Sequence, residues 1–188
     1  MRGRDKFNKY KSLILFLMKI FLLFPTRVRI VMFEFFRMTN GTKGLVIRYI
    51  LFKTLSKNCG DNVSIHPNVY FFGLKNLSVG NNVSIHPMCY IDAFGMIEIG
   101  DDVSIAHNTT IVSTEHKFDN LEINIKDQGV LYKKTIIHSN VWIAAGCRVL
   151  AGTNIHSGSI LAAGAVVKEI VEKNSIYGGV PAKLIRKR

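Results

Sequence analysis

Six aliphatic residues stand six positions apart without interruption toward the C-terminal end of this chain: Ile137, Ile143, Val149, Ile155, Leu161 and Val167. An α-helix repeats near 3.6 residues and a strand at 2, so neither element alone produces that spacing. A period of six describes short straight segments joined by regular corners, which is how a β-helix coils. The lattice continues upstream in altered form. Gly60, Gly80 and Gly100 lie twenty apart, and each opens a similar phrase: GDNVSIHP, GNNVSIHP and GDDVSIAH. The inward set there is Ile65, Phe71, Val79, Ile85, Ile91, Ile99, Ile105 and Ile111, with steps of six or eight, so these coils carry one longer corner. Slimmer residues such as Val83, Val103, Cys147, Ser159 and Ala165 sit two positions before the large aliphatics, as a narrow triangular interior requires. With coils stacked at about 4.8 Å, residues 59–173 are expected to build a prism of roughly five to six coils.

Charge divides the chain in two. Residues 1–57 hold 13 Lys/Arg against 2 Asp/Glu, a net of +11, whereas 58–188 hold 12 against 11, which together give the +12 of the whole chain. A prism this close to neutral argues against a nucleic-acid partner. The basic segment contains three apolar runs, at 12–24, 28–38 and 44–53. Lys19 interrupts the first, which is too short for a bilayer span, and FPTRVR offers no small-residue site for signal cleavage. Three short helices are expected here, with cations among apolar residues, suited to an anionic membrane surface. The alternative is that they pack on the prism end or on a neighbouring subunit. The expected organisation is thus a helical segment at 1–57 and a β-helix domain at 58–188.

The three cysteines show no paired spacing. Cys89 and Cys147 fall on the slim inward positions and Cys59 six before Ile65, so all three read as core residues of a protein in a reducing cytosol. Between Ile111 and Ile137 the lattice is broken by a polar, aperiodic loop at 112–136; long loops in compact domains are usually functional. His66, His86, His138 and His156 each follow an inward Ile, and His107 sits two after Ile105, so these five belong to corners. His116 alone lies off the lattice, at the start of the loop. Its near-neutral imidazole suits a general base. No H-x₃₋₅-H or C-x₂-C spacing supports a metal site.

The repeats, the STEH with KFD and KDQG of the loop, NVWIAAGCRVLAGTNI, and the ending AAGAVVKEI…YGGVPAKLIRKR together resemble the hexapeptide-repeat acyltransferases across 58–188. Their order and spacing are similar to polysaccharide and sugar O-acetyltransferases of capsule, lipopolysaccharide or exopolysaccharide biosynthesis. That resemblance implies a left-handed parallel β-helix, a hand that spacing does not specify and that the usual crossover rule opposes. It also implies a homotrimer binding acetyl-CoA in a groove between prisms, with His116 as general base. Glu115 or Asp119 is a candidate to orient the imidazole. By position, Trp142, Ala144, Ala145, Ala162, Ala163 and Gly164 would line the pantetheine path. Lys168 would fall near the same groove, and Lys183, Arg186, Lys187 and Arg188 would meet the phosphates. His86 and Asp92 are candidates for the acceptor side. Ala144 stands where the family has Gly in WIG, and IHS replaces IGD at 137–139 and 155–157.

The reading implied is an enzyme on the cytoplasmic side, peripheral on the inner face of a bacterial membrane, moving acetyl to a sugar hydroxyl of a surface polysaccharide or its lipid-linked precursor. Two rivals share the fold: an acyltransferase on a soluble amino sugar, free sugar or amino acid, and a non-catalytic assembly module. A metal-dependent lyase or hydrolase on the same scaffold would need several His at a subunit interface.

Overall fold

The computed structural model describes residues 3–188 and begins with three helices, α1 (Gly3–Leu22), α2 (Thr26–Phe35) and α3 (Gly41–Leu55). Pro25 separates the first two: its ring holds φ at −54° and leaves no N–H to continue α1. The first apolar run is therefore part of one 20-residue helix rather than a short one. Among the described residues no helix is long and apolar enough to cross a membrane.

The helices close the N-terminal end of the prism. Phe33 and Phe52 meet the Phe71 ring of the first coil at 5.9 and 5.1 Å between centroids, and Ile50, Leu51 and Phe52 belong to the same apolar core as the coils. Arg48 is 1% exposed. Its Nε donates to Ile65 O at 2.8 Å, and Nη1 donates to Phe36 O at 3.0 Å and Thr39 O at 2.6 Å. Burial pushes its pKa down, and carbonyls rather than a carboxylate receive Nε and Nη1, tying the turn after α2 to the first coil, while Nη2 is buried without a partner among the described residues.

The first five coils each contribute one strand to each of three faces, and the sixth contributes to faces 1 and 2 only. Face 1 stacks Asn58–Cys59, Leu77–Val79, Ile97–Ile99, Thr135–Ile137, Asn154–Ile155 and Ile170–Val171; face 3 stacks Tyr70–Phe72, Tyr90–Asp92, Thr110–Val112, Arg148–Val149 and Val166–Val167. Face 2 runs Ser64–Ile65, Ser84–Ile85, Ser104–Ile105, Trp142–Ile143, Ile160–Leu161 and Ser175–Gly178, and is closed by Lys183–Lys187 running antiparallel. Register aligns like with like: Ile65, Ile85, Ile105, Ile143 and Leu161 form one inward column. The six residues with unbroken six-residue spacing are all 3% exposed or less. Burying each such side chain stabilises the fold by about 1.5–3 kcal/mol.

Coils before the loop take twenty residues and the first after it eighteen, because the early face 3 to face 1 corners hold two extra residues. Gly80 shows why glycine recurs at twenty: a Cβ there would lie 2.7 Å from the Gly100 carbonyl carbon of the next coil. Asn62, Asn82 and Asp102 take positive φ at the face 1 to face 2 corner, and their side chains form a ladder, Asn62 Nδ2 donating to Asn82 Oδ1 and Asn82 Nδ2 to Asp102 Oδ1, both at 3.1 Å. The prism extends past the expected limit at 173. Val171 follows Val167 by four residues rather than six, which hides the last coil from the lattice, yet Ile170–Val171 and Ser175–Gly178 both pair in parallel with the coil before.

The cysteines behave as core residues. Cys89 and Cys147 are fully buried, and burial pushes the Cys89 thiol up to about 11, the Cys59 thiol up to about 12 and that of Cys147 upward as well. Thiolates are disfavoured at all three sites.

Candidate functional site

The loop leaves face 3 after Val112 and rejoins face 1 at Thr135. It is not aperiodic coil: Thr114–His116 pairs antiparallel with Val130–Tyr132, His116 standing opposite Val130. Its tip is folded by Gln128, whose Nε2 donates to Asn120 O and Ile123 O at 2.7 Å each. The base is tied down more tightly. Ser113 donates to Asp92 O through both N–H, at 3.0 Å, and Oγ, at 2.8 Å; Thr135 Oγ1 donates to Val112 O at 2.9 Å. Gly95 lets this base approach, since a Cβ there would fall 2.1 Å from Ser113 O.

Asp92 sits at the centre of that anchorage. Thr114 Oγ1 donates to Asp92 Oδ2 at 2.6 Å and Phe94 N donates to Oδ1 at 3.0 Å. Both carboxylate oxygens are thus engaged two residues from His116. Side chains alternate along the short strand, so Thr114 and His116 share one side and Glu115 takes the other, where it is ion-paired with Lys133. His116 is exposed, and neither ring nitrogen has a hydrogen-bond partner among the described residues. Glu115, the first candidate to orient it, is committed to Lys133. Sequence reasoning missed Lys133, Ser113 and Thr114 as the support of the His116 strand; the KK pair ending the loop, which also gives Lys134 its 2.8 Å ion pair with Glu98, was the available signal.

A second grouping occupies the corner between faces 2 and 3. The residue after each inward position of face 2 is His66, His86, Ala106, Ala144 and Ala162 in successive coils. The column begins with two imidazoles stacked at 4.7 Å between centroids and 9° between planes, then shrinks to methyl groups. Gly164 N donates to Ala145 O at 2.9 Å, and Gly164 holds φ +73° with open space where a Cβ would stand. Ala163 and Gly164 are exposed, while Ala144 is 9% exposed. Trp142 lies on face 2 just before this corner, 52% exposed. Lys183 pairs with Gly178, and Arg186 with Ile176, on the closing strand of that face. The small corner therefore has cations at its C-terminal end.

Lys168 does not join them. It follows Val167 at the end of face 3, on the corner that carries Asp92 and the loop, and faces Glu169 at 3.8 Å. Within one chain the candidates thus fall into two sets, His116 with Asp92 and Lys168 on one edge of face 3, His86 and the alanine column on the other. A three-residue strand places those edges on the order of 10 Å apart. Burial and neighbouring His107 lower the pKa of His86, and burial, His86 and Arg48 lower that of His66. Among the described residues no group of three His, Cys, Asp or Glu could hold a metal ion.

Known transferases share this coiled prism. The family described as bacterial transferase hexapeptide (six repeats) matches residues 134–169. The galactoside O-acetyltransferase of Lactococcus lactis is 30% identical over 160 residues, covering 84% of this chain and 75% of that protein. That of Escherichia coli is 30% identical over 140 residues, covering 74% and 68%. A galactoside acetyltransferase solved in complex with coenzyme A superposes with a TM-score of 0.75 at 26% identity, over 85% of this chain and 78% of that one. A Mycobacterium tuberculosis relative, 36% identical over 78 residues, is matched over only 26% of its length. The chain belongs to the hexapeptide-repeat acyltransferases: it is an acetyl-CoA-dependent enzyme with the left-handed parallel β-helix of that family.

Proposed function

We propose that the protein transfers acetyl from acetyl-CoA to a hydroxyl of a sugar in a surface polysaccharide or its lipid-linked precursor, with His116 as general base. The observation that carries this reading is the placement of an exposed imidazole, with both nitrogens uncommitted, on a hairpin whose base is locked by Asp92, Ser113 and Thr114. A base must be free to accept a proton yet held in position, and this arrangement meets both demands. His116 takes the proton as the hydroxyl oxygen attacks the thioester carbonyl; the O–C bond forms, the C–S bond breaks, and the imidazolium returns the proton to the departing thiolate. Backbone N–H groups along the small corner hold the developing oxyanion.

The separation of the two sets of candidates supports a homotrimer, in which one copy presents the His116 edge of face 3 to the alanine column of the next. Acetyl-CoA then runs along Trp142, Ala144, Ala145, Ala162, Ala163 and Gly164, and Lys183 and Arg186 meet its phosphates. Lys168 acts from the opposite edge, and His86 contacts the acceptor. Asp92 contributes by fixing the hairpin. The basic segment 1–57 holds the β-helix domain 58–188 against the inner face of a bacterial membrane.

The test is steady-state kinetics of His116→Ala with acetyl-CoA and a glycan acceptor. Turnover is expected to fall at least about a hundredfold with unchanged melting temperature; near-normal turnover removes His116 from the chemistry. A soluble galactoside is the second reading, favoured by the names of the two bacterial relatives. Mass spectrometry of glycan intermediates from cells with and without the protein separates them: an acetyl mass difference on lipid-linked glycan supports the first, and one confined to free sugar supports the second.

A further inference from the structure

A cleft of about 400 Å³ opens between α1, α3 and the first coil, far from the loop. Phe7, Leu13 and Leu17 form one wall, Leu45 and Val46 the other, and Val63 the floor. The volume is within the usual range of small-molecule sites, and the lining is aliphatic and aromatic for most of its extent. Asn62, next to Asp61, makes the end by Tyr49 polar, and Thr42 and Ser64 add hydroxyls to the lining.

Two features outside the cleft say what fits it. First, its lip is apolar and exposed: Leu13, which lines it, is 54% exposed, and Phe16 farther along α1 and Leu23 just past its end are 60% and 82% exposed. A row of exposed apolar side chains along one helix marks an interaction surface. Second, that surface is cationic. Lys9, Lys19, Arg27 and Lys43 are exposed, and none makes an ion pair among the described residues. The Lys9 ammonium stands 5.6 Å from the ring centroid of Tyr10, which lines the cleft. At the polar end, Lys11 and Lys53 both bind Asp61, at 2.5 and 2.9 Å, leaving one positive charge uncompensated beside Asn62. A second copy of the same segment would set +11 against +11, and a nucleic acid would leave the apolar walls uncovered. A hydrocarbon chain joined to a phosphate satisfies both walls and rim.

We infer that this cleft holds the hydrocarbon chain of a phosphate-bearing membrane lipid, its headgroup at the end where Lys11 and Lys53 share Asp61. That this lipid carries the acceptor glycan rests on the function proposed above. Coils stack at about 4.8 Å, so a glycan attached at the cleft extends along the prism from the first coil toward the hairpin between the third and fourth.

The full chain is incubated with vesicles of phosphatidylglycerol bearing a photoreactive group on the acyl chain, and adducts are mapped by peptide mass spectrometry. Adducts are expected on the cleft walls at 13–17 and 45–46. Val46→Trp, which fills the cleft, is expected to lower their yield at least about fivefold, roughly 1 kcal/mol of binding. Leu13→Asp, at the exposed lip, is expected to do the same and serves if Val46→Trp does not fold. Adducts confined to Phe16, Leu23 and Phe35 and unaffected by either variant would overturn the inference in favour of surface docking alone. Copy-to-copy links across the cleft would overturn it in favour of a protein interface. Transfer assays separate it from the activity. Cleft adducts without any acetylation of lipid-linked glycan leave the lipid site standing and sink the proposed function. An unchanged KM for lipid-linked acceptor in Val46→Trp, with cleft adducts lost, removes the carrier role.

Discussion

The coils before and after the His116 hairpin share one core and differ in almost everything outside it. Ile65, Ile85 and Ile105 continue into Ile143 and Leu161 without a change of register. Outside, the early coils carry stacked His66 and His86, exposed Tyr70, Phe72 and Tyr90, and a longer corner. The late coils carry alanine and glycine at the corresponding edge. A stacked prism allows this because each coil needs only its inward column to bind its neighbours, so outward positions vary at little cost to the fold. The inward column holds the fold together, and the proposed ligand contacts all lie on the edges.

The largest effect is expected where that division predicts no difference between the halves. Ile85→Ala and Ile143→Ala each delete a fully buried side chain from the same column and should each cost about 2–5 kcal/mol. Chemical denaturation of both variants reads this directly. A cost near zero in one half alone would mean that the two halves are not one cooperative core.

The edges should respond in the opposite way. Ala163→Phe puts a large ring on the exposed alanine corner without touching the core. If acetyl-CoA follows that corner, its KM rises about tenfold, or 1.4 kcal/mol, while the denaturation midpoint stays within error. His66→Phe, the same kind of bulk on the early edge, leaves the KM for acetyl-CoA unchanged. Equal KM values in all three proteins would take the alanine column out of the cofactor path.

These expectations also show what the sequence could carry. The prism was legible because its signal is local: one inward residue every six positions survives any change on the outside. Legibility failed where the period changed. The four-residue step from Val167 to Val171 concealed the last coil, and the hairpin Thr114–His116 with Val130–Tyr132 is two strands of three residues, too short for alternation to register. The edge on which a corner residue stands depends on counting coils through the longer corners. That is why Lys168 was grouped with the alanine column although it stands across face 3. The role of Asp92 was hidden for another reason: its partners Thr114 and Phe94 approach from the loop base and the corner. The packing of α1–α3 on the first coil rests on contacts such as Arg48 with Ile65, which no periodicity records.

The smallest expected effect belongs to the early edge itself. The His66 and His86 rings face each other at 4.7 Å, and burial first, then each ring's charged neighbours, lower both pKa values from the ordinary 6.5. The folded protein then binds these protons less readily than the unfolded chain, so stability is full above pH 6.5 and is lost as pH falls below it. Asp61, held below the usual carboxylate range by Lys11 and Lys53, acts in the same direction but at lower pH. The change in melting temperature between pH 7.5 and 5.5 therefore isolates the imidazoles. His66→Asn removes one ring and its repulsion of the other, while His116, His138 and His156, which neither shift involves, are the same in both proteins. The variant should lose fewer degrees than the wild type over that interval. An identical loss in both would place the acid sensitivity elsewhere and leave the stacked pair with a purely steric part in the corner.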